Sequence, residues 1–366
     1  MAGLAPVYMP GHTVLNQNCR MRSNEDDVPV SVATQTKQAP SANAIERLLT
    51  ATSADMAKVN ALILERADSH VEMVPELARY LIESGGKRLR PMLTVAAAAL
   101  FGGGVGSAIK FAAAVEFMHN ATLLHDDVVD ESDMRRGKPA ARMIWGNQAS
   151  VLVGDFLLGQ AFMMMVETKD IDALGVLAAA AAAMAEGEVF QLAKTGDLAT
   201  TPEDYAEVIR AKTATLFEAA CEVGAMAGGA DDAGRLALKA YGLELGNAFQ
   251  LVDDVLDYRG ESGAMGKNTG DDLREGKMTL PVILALAEGT PTEQALISSA
   301  LGDADASDAQ VRDVVTIMGR YNTLTRTLDR ADDHARAAVD ALAKLPASEM
   351  KTLLAEVVEF SVRRAY

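Results

Sequence analysis

From Asn43 onward, apolar residues recur at helical spacing, and Ile45, Leu48, Leu49, Met56, Val59, Leu62 and Ile63 mark one face of the first segment. Short punctuation separates the segments that follow: Ser84-Gly85-Gly86, Gly102-Gly103-Gly104, Arg136-Gly137-Lys138-Pro139, Thr201-Pro202 and Gly228-Gly229. No strand–turn–strand pattern is legible, so the spacing predicts an all-α bundle with short connections rather than separate domains. Residues 1–42 lack periodicity and are rich in Gly, Pro, Ser, Thr, Asn and Gln. They are read as a flexible extension outside the chemistry, leaving one domain over 43–366. The longest uncharged apolar run, around Ala173–Met184, is too short to span a bilayer and predicts a buried, alanine-packed helix. Arg259 to Leu280 breaks the pattern: Gly260, Gly263, Gly266, Gly270 and Gly276 alternate with Lys267, Asp271, Asp272, Arg274 and Lys277. This stretch is read as a mobile flap over an anionic ligand, with an ordinary surface loop as the alternative.

Composition sharpens the helical reading. Hydrophobic residues make up 49% of the chain but aromatics only 5%, and the Ala, Leu and Met that dominate are strong helix formers. A formal charge of −17 with a pI near 4.8 excludes a basic nucleic-acid surface. Cys19 and Cys221 have no metal-ligand spacing, which points to a reducing compartment. The N-terminus lacks a basic-then-apolar signal, and Glu25-Asp26-Asp27 opposes a transit peptide, so a cytoplasmic location is expected.

Net charge does not explain why aspartates cluster. Asp126-Asp127-Val128-Val129-Asp130 follows Leu123-Leu124, and Asp253-Asp254-Val255-Leu256-Asp257 follows Phe249-Gln250-Leu251-Val252 with the same internal spacing. On a helix, Asp126 and Asp130 project from one face, where like charges repel unless something compensates. One or two hard carboxylates with room for water and phosphate describe a Mg²⁺ site. A solvated acidic face would account for either cluster alone; both emerge from buried-looking helices. Cations stand nearby in sequence: Lys87, Arg88 and Arg90 beside Gly85-Gly86, then Arg135, Arg136, Lys212 with Thr213, Lys267 and Lys277. Arginine suits bidentate phosphate contacts and lysine supplies a point charge. His119 lies about two turns before Asp126 and could donate to a second phosphate. Two acidic walls and two sets of cations imply two phosphorylated substrates.

These motifs, together with Gly146–Gly154 and Gly266–Pro281, resemble those of the trans-isoprenyl diphosphate synthases. The likeness runs from Ile45 to the C-terminus and is greatest to the long-chain octaprenyl to decaprenyl members that make quinone side chains such as that of ubiquinone. The resemblance implies an all-α isoprenoid synthase bundle around a deep central cavity, usually a homodimer, using three Mg²⁺ per site. It implies direct metal ligation by Asp126, Asp130 and Asp253, with Asp127, Asp254 and Asp257 in support. Arg135, Lys212, Thr213, Gln250 and Lys267 would then contact an allylic diphosphate such as farnesyl diphosphate. Lys87, Arg90, His119 and Arg136 would hold isopentenyl diphosphate. No transmembrane segment is expected, although product release could involve membrane contact. A class I terpene cyclase would carry a different second metal motif, and a noncatalytic subunit would show a decayed one; a shorter-chain synthase is the nearer alternative.

Chain length can be argued physically. An extended isoprene unit spans about 4–5 Å by comparison with a three-bond residue, close to the helix pitch of about 5.4 Å. A tail growing along the Asp126 helix therefore meets Ala121 or Thr122, then Met118 or Phe117, then Ala113 or Ala114. Ala121 and Thr122 are small where short-chain relatives place a bulky floor, which predicts a tunnel. Phe162-Met163-Met164-Met165 is a candidate for its floor.

Overall fold

The structure is a computed structural model describing residues 44–83, 86, 88–102, 105–260 and 269–364. The N-terminal extension, Lys87 and Lys267 lie outside the described residues. Helix α1 (Ala44–Arg66) buries Ile45, Leu48, Met56, Val59 and Ile63 of the stripe that the periodicity predicts, while Leu62 is half-buried and Leu49 is exposed. α2 (Met73–Glu83) and α3 (Leu89–Ala99) lead into α4 (Val105–Val129). α4 is largely apolar along its length, with Lys110 and Glu116 as the charged exceptions before His119, and it runs through the core. Phe111, Ala112, Ala113, Ala114, Val115, Phe117 and Met118 are all buried.

Around α4 stand α1, α3, α6 (Asn147–Glu167) and α9 (Thr215–Ala227), with the short α5 (Ala141–Trp145) at its end. A second axis, α10 (Asp232–Arg259), packs on α9 and on α15 (Thr323–Ala343). α9 thus touches both helices that carry acidic clusters. The α9–α10 approach is backbone against backbone: a Cβ on Gly242 would lie 2.4 Å from Phe217 O, and one on Gly246 would lie 2.5 Å from Ala214 Cα. α7 (Ile171–Lys194), α8 (Pro202–Ile209), α11 (Asp271–Arg274), α12 (Leu280–Glu288), α13 (Pro291–Ala300), α14 (Asp308–Arg320) and α16 (Glu349–Arg363) complete the bundle. Thr201-Pro202 starts α8 as punctuation should. Thr201 Oγ1 accepts from Asp204 N at 3.1 Å, Asp204 Oδ2 accepts from Thr201 N at 3.0 Å, and Pro202 opens the helix. Such a box is worth about 1 kcal/mol.

Four expectations need correction. Met134–Arg135 and Lys138–Pro139 pair as a minimal antiparallel hairpin. Its turn residues Arg136 and Gly137 both have positive φ, 53° and 75°, as a two-residue hairpin turn requires. Strands of two residues are too short to show alternation in sequence. Secondly, Lys212-Thr213, whose largely apolar surroundings predict a mid-helix position, lies in a π-turn, Arg210–Ala214, between α8 and α9. Thirdly, α7 is not a fully buried helix: Ala173, Leu177, Ala180 and Met184 face inward while Ile171, Val189 and Leu192 are exposed. α6 and α7 are each long and apolar enough to cross a bilayer by length and composition alone, yet both contribute a buried stripe to the bundle. Finally, the part of the expected flap that is described, 269–280, is tethered. Arg274 donates to Ala306 O at 3.0 Å, Thr269 O at 2.8 Å and Asp308 Oδ1 at 2.9 Å, and Leu273 is buried. Residues 261–268 lie outside the description.

Candidate active site

The last turns of α4 divide the first acidic cluster between core and opening. Asp127 is fully buried, and Arg135 Nε donates to its Oδ1 at 2.8 Å. Its Oδ2 is buried with no hydrogen-bond partner. Asp126 faces the opening, where burial pushes its carboxyl up to about 7; Lys212 opposes that rise while Glu188 and Asp130 add to it. Lys212 Nζ is 2.8 Å from Glu188 Oε2. This pair exists because α7 meets the π-turn closely, a Cβ on Gly187 lying 2.7 Å from Ala211 Cβ. Asp130 pairs with Lys277 Nζ at 3.1 Å, so the lysine read as a flap cation is a strut between the 271–277 segment and the first cluster.

The second cluster, on α10, is partitioned in the same way with different partners. Asp253 pairs with Arg364 Nη2 at 2.7 Å, and that guanidinium also stacks over Phe249, 4.1 Å from the ring centroid. Asp254 is buried; Tyr205 and Gln250 donate to its two oxygens at 2.6 Å and 2.7 Å. Burial and then Asp272 push Asp254 up to about 8 against those hydrogen bonds. Asp257 Oδ2 accepts from Asp272 N at 3.3 Å. The 271–277 segment therefore joins both clusters.

The other cations gather at the top of α3 and α4. Arg90 Nη1 is 3.3 Å from His119 Nε2, and its guanidinium lies 4.3 Å from the Phe217 ring centroid. Arg90 Nε is buried without a partner. Burial lowers Arg90 to about 10, with Glu116 and Asp253 resisting, so it stays cationic at neutral pH. Burial first, then Arg90, Arg136 and Arg135, holds His119 well below the usual imidazole range. A neutral imidazole can donate from one nitrogen only. The hairpin turns Arg136 toward Gly86, where a Cβ would meet its Nη1 at 2.9 Å. Lys87 and Lys267 lie outside the described residues.

Beside Asp126 opens a cavity of ≈ 250 Å³ lined by Met118, Ala121, Thr122, His125, Leu158 and Met184 among others, with Asp126 and Glu188 also in its wall. Phe117, Ala113 and Ala114 are buried in the core and do not line it. Neither do Phe162, Met163, Met164 and Met165 line it: Met163 points outward, and Met164 and Met165 pack in the core. Sequence reasoning missed Glu188, His125, Tyr205 and Arg364. Only His125 had a signal, adjacency to Asp126; the others reach the site from helices with no repeated motif.

Among the described residues no three carboxylates or imidazoles already converge on one point. A magnesium ion needs no such cage, because waters and substrate phosphates complete its octahedron. The unpartnered Asp127 oxygen and the raised Asp126 carboxyl mark an excess of hard oxygen donors, which suits a divalent cation.

Comparison with known proteins agrees with this geometry. Residues 71–318 match the Polyprenyl synthetase family, and the chain belongs to it. It is 45% identical over 312 residues to the octaprenyl diphosphate synthase of Haemophilus influenzae, covering 85% of this chain and 94% of that protein. The crystal structure of a decaprenyl diphosphate synthase from Rhodobacter capsulatus superposes with a TM-score of 0.84 at 48% identity, covering 88% of this chain and 99% of that one. A polyprenyl synthase from Caulobacter crescentus CB15, complexed with calcium and isoprenyl diphosphate, gives 0.85 at 49% identity, covering 90% of this chain and 100% of that one.

Proposed function

We propose that the chain is a long-chain all-trans-polyprenyl diphosphate synthase. It adds isopentenyl diphosphate units in sequence to an allylic diphosphate, farnesyl diphosphate serving as primer, and the product of eight to ten isoprene units supplies a quinone side chain. The observation that carries this reading is the junction at Asp126, where a polar head site opens into an apolar cavity walled by Ala121 and Thr122.

In this reading Arg135, Lys212, Thr213, Gln250 and Lys267 grip the allylic diphosphate, while Lys87, Arg90, His119 and Arg136 hold isopentenyl diphosphate. Asp126, Asp130 and Asp253 would hold three Mg²⁺ ions, which supply Lewis-acid charge for a departing diphosphate. Lysine and arginine charges stabilise that leaving group as the allylic C1–O bond breaks. Isopentenyl diphosphate's double bond then attacks C1, and the proton it sheds passes to the departed diphosphate. Neutral His119 serves as a hydrogen-bond donor rather than an acid. The cavity falls just below the range of about 300–1,000 Å³ that takes drug-sized ligands, so it holds the first part of the tail. Met118 and Met184 in its wall are unbranched and can re-pack as the tail lengthens.

The exposed apolar face of α6 and α7, with Leu152, Val166, Val189 and Leu192, is assigned to a second copy of this chain as a homodimer. A free, buried Cys221 fits a cytoplasmic setting. The test is to incubate the full chain with Mg²⁺, farnesyl diphosphate and labelled isopentenyl diphosphate, then separate the products by chromatography. Products of eight to ten units are expected, and a product that stops at twenty carbons would overturn the long-chain reading.

A further inference from the structure

A buried line of hydrogen bonds runs from α8 through the second acidic cluster to the π-turn. Tyr205 Oη donates to Asp254 Oδ2 at 2.6 Å, Gln250 Nε2 donates to Asp254 Oδ1 at 2.7 Å, and Thr213 Oγ1 donates to Gln250 Oε1 at 2.8 Å. Tyr205, Asp254 and Thr213 are all buried. In the observed arrangement the Gln250 NH₂ faces Asp254 and its carbonyl faces Thr213. Tyr205 occupies the remaining carboxylate oxygen, and a rotation of Asp254 would break both bonds together.

At the far end of the line is a backbone that needs support. A π-turn is rare and appears where tertiary contacts hold it, often at functional sites. Here Arg210–Ala214 is held by Thr215 Oγ1 donating to Arg210 O at 2.9 Å and by the close approach of Gly187 to Ala211. Thr213 to Gln250 is its side-chain tie to α10. Lys212, the next residue, extends to Glu188 beside Asp126 at the cavity mouth. Asp254 thus sits in an aspartate-rich motif with both oxygens committed to protein donors rather than to the opening.

We propose that Tyr205 and Asp254 are positioning residues that brace the π-turn through Gln250 and Thr213, holding Lys212 where it meets the allylic diphosphate. This rests on the reading of Lys212 as the allylic diphosphate's cation. In it Asp254 acts through Gln250 and does not ligate metal, unlike its neighbour Asp253.

Tyr205→Phe removes one oxygen and nothing else, and loss of one such buried bond corresponds to about a tenfold effect. Its KM for farnesyl diphosphate should rise about tenfold, with KM for isopentenyl diphosphate and the Mg²⁺ concentration for half-maximal activity unchanged. Asp254→Asn should behave alike, and carries the test should Tyr205→Phe fold poorly. In a double-mutant cycle, Tyr205→Phe with Asp254→Asn should cost less than the product of the single effects, since both cut one line. A lowered melting temperature with unaltered KM values would reduce the line to a structural role and overturn the proposal. An Mg²⁺ curve displaced in Asp254→Asn but not in Tyr205→Phe would make Asp254 a metal ligand and also overturn it. Wild-type chain that fails to condense the two diphosphates would instead overturn the functional reading, which separates the two failures.

Discussion

The two acidic clusters have one spacing and two environments. In each, the second aspartate turns into the protein and the first faces outward. Asp127, however, is matched by a cation, Arg135, whereas Asp254 is matched by the neutral donors Tyr205 and Gln250. The first cluster opens onto an apolar cavity beside Ala121; in the second, the equivalent alanine, Ala248, is buried in the core. The motif therefore sets which aspartate is outward, and the neighbours set what each aspartate does. Both outward groups are compensated by basic residues brought from afar, Lys212 beside Asp126 and Arg364 on Asp253.

The largest expected effect tests what the clusters share. Asp126→Ala and Asp253→Ala should each lower turnover on the order of 10²-fold or more while leaving the helical signal intact. Steady-state assays and circular dichroism of both variants check this, and near-normal activity in either would remove that cluster from the metal site. The next effect separates the inward aspartates. Arg135→Ala leaves a buried carboxylate without its cation and should destabilise the fold by about 3–5 kcal/mol. Tyr205→Phe, which removes only a neutral donor, should cost about 1–3 kcal/mol. Denaturant titrations would break the comparison if the order were reversed.

The paired alanines sharpen it further. Ala121→Phe should shorten the product, because the ring enters the cavity, and chromatography of the products reads this directly. Ala248→Phe should leave product length alone and instead overpack the core, at about 1–3 kcal/mol. The last test concerns pH without metal. Asp126 and Asp254 are raised from 3.8 to about 7 and about 8. Their folded pKa values exceed the unfolded ones, so their contribution to stability is greatest below about 4 and is lost as pH rises through 7 and 8. Melting temperatures of the metal-free chain should fall across that window, and added Mg²⁺ should flatten the decline. A rise instead would mean that the two carboxyls are not raised.

Much of this protein is legible in its residues. Helical periodicity in α1 and the Thr201-Pro202 start of α8 are local facts, governed by propensity, capping and burial of one face. The doubled aspartate motif is likewise local, because its spacing puts Asp126 with Asp130, and Asp253 with Asp257, on shared helix faces. Other features depended on contacts between residues far apart in the chain. The π-turn under Lys212 exists because Gly187 and Gln250 press on it from α7 and α10. Tyr205, Glu188 and Arg364 join the site only when α8, α7 and the chain's end fold against it. Of the Phe162–Met165 cluster, Met163 is exposed and Met164 and Met165 pack in the core, a division set by helix rotation. Sequence alone determined which chemistry the chain carries; the tertiary structure decided which charges meet, since pairing is a matter of distances that no local pattern encodes.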